Sequence, residues 1–182
     1  MTKYQNKALS FYSKSIAFLE SSIILSLQKD NKIFNTTDYQ DVINYNCYHS
    51  LELFLKFSLL YRCSNQNDYN KMIKKFGHNI DDLYKQYKSI YKEEIFDINY
   101  PFDFSNENYV VSEYNIDELK LFEEHKAKFP PDILDQYLKY PDDKQGNRVS
   151  GAYLISLDDS YLKALKNDLE NKCKIIINFG KN

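Results

Sequence analysis

The sequence predicts a mainly α-helical bundle of four to five helices that form one domain over residues 1–182. A length of 182 residues is typical of a single domain. The chain contains four Gly and four Pro, fewer than the tight turns of a β-sandwich or barrel require. Several long segments instead repeat apolar residues every three or four positions, which is the period of an α-helix with one buried face.

Two long helices are predicted in the first third of the chain. The first covers about residues 5–29, where apolar side chains recur at Ala8, Tyr12, Ile16, Leu19, Ile23 and Leu27. Thr37 and Gln40 form a capping-box pattern, so we expect the second helix to begin there and to run to about Cys63. This second helix is apolar around most of its circumference, which is typical of a helix at the centre of a bundle.

The elements that follow are shorter. We expect a helical turn at about 68–75 and a helix over about 80–94 with Asn79 as its N-cap. Residues 97–155 are expected to form an elaboration on the bundle. It would contain a short helix that begins near Asn115 and a small β-hairpin around Gly146. Ser156 is then the predicted cap of the last helix.

Charge and cysteine content exclude several classes of protein. The net charge is −2, so no overall field attracts the chain to nucleic acid or to an anionic membrane. The most apolar stretch, residues 15–27, is interrupted by Glu20 and is too short to span a membrane. Cys47, Cys63 and Cys173 lack the spacing of metal ligands and have apolar neighbours. These features indicate buried, reduced thiols in a cytoplasmic protein that does not contact membranes.

Signatures of common catalytic and cofactor sites are missing from the sequence. It contains no Gly-rich phosphate loop, no HExxH, no CxxC and no GxSxG. The three histidines, His49, His78 and His125, are far apart and show no metal-ligand spacing. We therefore expect no metal and no cofactor. The missing catalytic motifs also argue against an enzyme.

One apolar run, INYNCYHSLELFLKFSLLYR at residues 43–62, contains three polar side chains at helical spacing. His49, Glu52 and Lys56 would lie along one flank of the second helix. Two interpretations are open. The first makes His49 and Glu52 an acid–base couple, with Lys56 binding a phosphate. The second makes the three residues a polar seam that fixes the helix against the turn at residues 77–79.

The turn itself has the sequence Gly77-His78-Asn79 and opens the next predicted helix. We expect Gly77 to adopt a backbone conformation that is closed to other residues, so that His78 reaches the flank of the second helix. The combination of CYHSLELFLKFSLLY with a later FGHNIDDLYKQY resembles the HEPN superfamily of prokaryotic helical-bundle proteins. The matching pattern is H-x-x-E-x-x-x-K followed by G-H-[DN]-[LI], at His49, Glu52, Lys56, Gly77, His78, Asn79 and Ile80.

The resemblance covers about residues 5–95, together with the last helix. It implies a bundle of four to five helices, frequent dimerisation, and roles in toxin–antitoxin, phage-defence and RNA-processing systems. Ribonuclease members of the superfamily carry an Arg followed, after four to six residues, by a His. Neither Arg62 nor Arg148, the two arginines of this chain, has a His at that distance.

Three functions remain open at this level. The first is a non-catalytic HEPN-like module that dimerises or binds a protein partner in a defence, toxin–antitoxin or stress system. The second is a metal-independent ribonuclease whose active site departs from the Arg–His pattern of the superfamily. His78 or His49 would be the base. The phosphate would be bound by Arg62, Lys74 or Lys75. The third is a bundle that binds a nucleotide or another small ligand in a pocket lined by some of the 17 tyrosines.

Overall fold

The computed structural model describes residues 2–28, 36–99, 101 and 157–179. Five α-helices and one short 3-10 helix occur within these residues, and the same residues contain no β-strand. The α-helices are α1 (Lys3–Gln28), α2 (Thr36–Leu60), α3 (Gln66–Lys75), α4 (Ile80–Ile90) and α5 (Asp159–Asn178). The 3-10 helix spans Glu94–Phe96. The predicted mainly α-helical bundle is therefore confirmed.

Helices α1 and α2 form an antiparallel pair. Ser15 and Ser50 join their hydroxyls at 3.1 Å, and the Ser22 hydroxyl donates to the Ile43 carbonyl oxygen at 3.0 Å. Because the later residue of α1 contacts the earlier residue of α2, the two helices run in opposite directions. Ala8, Ser15 and Ser22 are each 0% exposed and lie seven residues apart on α1. Small side chains at this spacing allow the two helix axes to approach closely.

Helix α2 lies at the centre of the bundle, as predicted. Every residue from Ser50 to Tyr61 is buried. Helix α4 packs on α2 in the same direction, because Tyr48 bonds to His78 and Ser58 bonds to Tyr91. An ion pair of Lys166 with Glu20 at 2.6 Å, together with the proximity of Cys173 to Tyr12, shows that α5 runs antiparallel to α1. A helix surrounded in this way must be apolar on nearly all sides.

Several predicted helix ends differ from the structure. Helix α2 begins at Thr36, which puts Thr37 inside its first turn instead of at the cap. Helix α4 ends at Ile90 rather than near residue 94, because the chain then forms the 3-10 helix. The predicted turn at 68–75 is a full helix that begins at Gln66 and is capped by Asn65.

The cap of the last helix was predicted wrongly. Its N-cap is Asp158 and not Ser156, because the Asp158 carboxylate accepts the Tyr161 amide hydrogen at a distance of 2.7 Å. A carboxylate at this position also interacts favourably with the positive end of the helix dipole. Hydrogen bonds from Tyr161 and Ser160 accordingly lower the pKa of Asp158.

Other predictions lie outside the described residues. They are the short helix near Asn115, the β-hairpin around Gly146 and the elaboration beyond residue 101. None of the described helices combines the length and the apolarity that crossing a bilayer requires. Cys47, Cys63 and Cys173 are free and buried. Burial raises the pKa of the Cys47 and Cys63 thiols.

Candidate functional site

A buried carboxylate in the middle of α2 gathers the polar residues that the sequence singled out. The Glu52 side chain is 2% exposed. Its Oε2 atom lies 3.0 Å from His49 Nδ1, and its Oε1 atom lies 3.0 Å from His78 Nδ1. Lys56 Nζ donates to the same Oε1 atom. We call these four residues, His49, Glu52, Lys56 and His78, the Glu52 cluster.

Helical spacing accounts for three members of the Glu52 cluster. His49 lies three residues before Glu52 and Lys56 four residues after it, so all three side chains lie along one flank of α2. The order of an acid followed four residues later by a lysine is the better orientation for an ion pair within a helix. The sequence therefore predicted this part of the cluster correctly.

The fourth member, His78, comes from the connection between α3 and α4. The Tyr48 hydroxyl donates to the His78 carbonyl oxygen at 2.6 Å, which fixes the backbone of this connection against α2. Asn79 then caps α4, as predicted, because its Oδ1 atom accepts the amide hydrogens of Asp81 and Asp82 at 2.9 and 3.2 Å. The predicted contact of the turn with α2 is thus present.

The expectation for Gly77 is wrong. Its φ angle is not in the left-handed region that favours glycine, and a Cβ atom added there would lie 3.8 Å from Asn79 N. This distance is an ordinary van der Waals contact. The backbone at Gly77 is therefore open to other residues, and the Tyr48 hydrogen bond is what holds the turn.

Aromatic rings surround the Glu52 cluster. Phe18 of α1 meets the His49 ring edge-on, with ring centroids 4.6 Å apart, and Tyr45 stacks on His49 at 5.9 Å. The Lys56 ammonium group lies 5.8 Å from the centre of the Phe76 ring. These neighbours limit the access of water to the ion pair. The sequence did not indicate the contacts of Phe18 and Phe76, because both residues lie outside α2. The contact of Tyr45 with His49 could have been found, since the two residues are four apart on one flank of α2.

The electrostatics of the cluster make Glu52 a permanent anion. Burial by itself would raise the pKa of Glu52, but the hydrogen bonds and positive charge of His49 and Lys56 outweigh burial and lower this pKa from 4.5 to about 2. An ionised carboxylate only accepts hydrogen bonds, so both imidazole rings must carry a proton on Nδ1. Their Nε2 atoms make no hydrogen bond within the described residues. The His78 side chain is 62% exposed and the His49 side chain is 25% exposed.

The other predicted phosphate-binding residues lie elsewhere. Arg62 packs its guanidinium group over the Phe179 ring at 5.3 Å, ten residues along the chain from Glu52. Lys74 and Lys75 are exposed in the last turn of α3. An open cleft of about 430 Å³ lies beside Lys75 and is lined by Lys75, Gly77, Asn79, Asp82, Leu83, Lys85 and Gln86.

The described tyrosines and the possible metal ligands bear on two other kinds of ligand site. Tyr48, Tyr87 and Tyr91 are at most 2% exposed and belong to the core, so they do not line an open pocket. Burial raises the pKa of Tyr87, and it raises that of Tyr91 to about 12. Among residues 2–28, 36–99, 101 and 157–179, no group of three or more His, Cys, Asp or Glu side chains could hold a metal ion.

In comparisons with family models, with curated proteins and with solved structures, nothing matches this chain. The resemblance to the HEPN superfamily therefore rests on the residues themselves and stays a prediction.

Proposed function

We propose that this chain is a non-catalytic, HEPN-like helical module that acts by pairing with a second copy or with a partner protein. A prokaryotic defence, toxin–antitoxin or stress system is the setting that the resemblance implies. The observation that supports the proposal most is the contact between the two halves of the quoted pattern. Glu52 from the first half bonds to His78 from the second half at 3.0 Å.

The state of Glu52 supports a structural role for this contact. A general base works best when its pKa is near the pH of the reaction, whereas the pKa of Glu52 is about 2. Its two oxygen atoms already accept from His49, His78 and Lys56. Within the described residues, no buried side-chain nitrogen or oxygen lacks a hydrogen bond. A buried polar network that is satisfied in this way stabilises a fold and leaves little capacity for a substrate.

Exposed apolar residues support association. Ile24 and Leu27 of α1 are 56% and 55% exposed, and Val42 of α2 is 47% exposed. Because α1 and α2 are antiparallel, these residues lie at the same end of the pair. Large apolar side chains that cluster on a protein surface are typical of interaction sites.

The ribonuclease hypothesis has one observation in its favour. His78 is exposed, and a buried carboxylate holds its Nδ1 atom, which is how many general bases are oriented. Within the described residues, His78 has no arginine beside it, because Arg62 packs on Phe179. Cleavage of a phosphodiester needs a cation that stabilises the negative charge of the transition state, and Lys56, which shares an oxygen of Glu52 with His78, is 10% exposed and paired with that carboxylate.

Incubation of the purified protein with single-stranded and structured RNA, in the presence of a chelator, separates the two functions. We expect no cleavage above that of a preparation from cells without the gene. Cleavage that persists through purification and is lost in both His78→Ala and His49→Ala proteins would support the ribonuclease instead. Light scattering on the same sample tests association, for which we expect the mass of two chains.

A further inference from the structure

The segment at residues 64–78 differs from the chain on either side of it. No residue in this segment is buried, whereas every residue from Ser50 to Tyr61 is buried and α4 buries Ile80, Leu83 and Tyr87. The segment contains α3, whose apolar residues Tyr69 and Met72 are only partly buried against the core. We call residues 64–78 the strap. Segments with so few buried apolar contacts open at a lower free energy than the core does.

The strap is fixed mainly at its C-terminal end. There Tyr48 donates to the His78 carbonyl oxygen at 2.6 Å, and the His78 ring bonds to Glu52 at 3.0 Å. Near its other end, the Tyr69 ring lies 5.9 Å from the Tyr4 ring. Within the described residues, these two contacts at His78 are the hydrogen bonds that join the strap to α2.

The C-terminal end of the strap also covers charged groups. Phe76 lies over the Lys56 ammonium group at 5.8 Å, and His78 occupies one oxygen of Glu52. The Lys56 side chain is 10% exposed although it carries a charge. A buried charge gains solvation when its cover is removed, and this gain offsets part of the free energy that is lost when the bonds of His78 break.

We propose that the strap opens as a local unit while α1, α2 and α5 stay folded, and that this opening uncovers the Glu52–Lys56 ion pair. The hydrogen bonds of Tyr48 and His78 hold the strap in its closed position and break when it opens. The opened form presents an anion and a cation four residues apart on α2, which are shielded in the closed form.

Amide hydrogen exchange tests the local opening. We expect the amides of α3 to exchange at least about 100-fold faster than those of residues 50–61, through openings that expose little surface to urea. Tyr48→Phe and His78→Ala should accelerate exchange in α3 by about 10-fold or more, the effect of losing one such hydrogen bond. Exchange in α5 should change less than about twofold, since α5 makes neither of these bonds.

Tyr87→Phe is the matched control, because it also removes a phenol hydroxyl that donates to a backbone carbonyl, that of Phe96 at 2.9 Å. It should leave exchange in α3 unchanged. If α3 exchanges together with residues 50–61, or if Tyr48→Phe and His78→Ala accelerate α5 as much as α3, the strap does not open independently. Should His78→Ala not fold, the parent protein and Tyr48→Phe still decide the question.

Labelling of lysines with an amine-reactive ester tests whether opening uncovers the ion pair. Lys172 of α5 is the internal control, because its side chain is 6% exposed and is paired with Asp168, much as Lys56 is paired with Glu52. We expect Lys56 to react faster than Lys172 in the parent protein. In Tyr48→Phe, the reaction of Lys56 should accelerate by the same factor as the hydrogen exchange of α3. Equal reactivity of Lys56 and Lys172 in the parent and in Tyr48→Phe would overturn the proposal.

Discussion

At the scale of single residues, Glu52 illustrates how an apolar helix can contain a charge. An isolated carboxylate in a protein interior costs so much free energy that it normally becomes protonated. Glu52 stays ionised because Lys56 and His49 on the same helix, together with His78 from another segment, donate to it. The free energy of the cluster therefore depends on all its members being present.

Glu52→Gln is expected to destabilise the protein by about 2–4 kcal/mol, because it leaves the Lys56 ammonium group buried without its counter-ion. Urea unfolding measures this change. Glu20→Gln is the matched control: Glu20 pairs with Lys166 at 2.6 Å but is 51% exposed, so its loss should cost less than about 1 kcal/mol. Equal midpoints for Glu52→Gln and the parent would remove the structural role and make the cluster a candidate ligand site.

The stability of the fold should depend on pH through the same carboxylate. The folded pKa of Glu52 is about 2, below its ordinary value of 4.5, so the unfolded chain binds the proton more readily. The contribution of Glu52 is then complete above about pH 4.5 and is lost as the pH falls towards 2. Its full size is about 3 kcal/mol, from the difference between the two pKa values.

Urea unfolding of the parent and of Glu52→Gln between pH 7 and pH 3 measures this contribution. The gap between their free energies of unfolding should be constant above pH 5 and should narrow below it. A gap that stays constant down to pH 3 would mean that Glu52 titrates alike in the folded and unfolded chains.

At the scale of helices, the sequence predicted those elements whose signal is local. The apolar period located α1 and α2, and Asn79 marked the start of α4 because a cap needs only the residues that follow it. The end of α4 was missed because burial of Phe96 turns the chain into a 3-10 helix, and that is a tertiary effect. The bond of His78 to Glu52 spans 26 residues and has no local signal, so the sequence could offer this contact only as one of two interpretations of the polar residues in α2.

Caps offer a test of the helices that hold the cluster. Asn79→Ala removes the acceptor for the Asp81 and Asp82 amides and should destabilise the fold by about 1 kcal/mol. Thermal unfolding measures the loss. Asn65→Ala removes the corresponding cap of α3, which accepts from Asp68 at 3.0 Å. Since α3 buries no residue, this second variant should change the global stability much less.

Gly77→Ala is the control within the same turn. Because the backbone at Gly77 is compatible with alanine, this variant should be neutral or should stabilise the fold by about 0.4–1 kcal/mol. A loss larger than that of Asn79→Ala would show that the turn requires glycine after all.

At the scale of the whole molecule, α2 organises the fold, and three large apolar side chains stay exposed at one end of the α1–α2 pair. Helices α1, α4 and α5 bury the central part of α2 on all sides, which accounts for the apolar residues around its circumference. Near the start of α2 and the end of α1, however, Val42, Ile24 and Leu27 stay exposed in the described structure. The sequence could not separate these two regions, because apolar residues at helical spacing look alike whether they are buried within the chain or exposed on its surface.

Leu27→Glu tests whether these exposed apolar side chains pair two copies of the chain. A charge placed in an apolar interface should weaken the dimer by about 100-fold or more, since each loss of about 1.4 kcal/mol of binding free energy changes the dissociation constant tenfold. Light scattering at micromolar concentration should give the mass of two chains for the parent and of one chain for the variant. Ile95→Glu is the matched control, because Ile95 is also 55% exposed but lies in the 3-10 helix after α4, so its mass should equal that of the parent. A monomeric parent would contradict pairing of two copies, and dissociation by both variants would mean that the interface is not confined to the α1–α2 end.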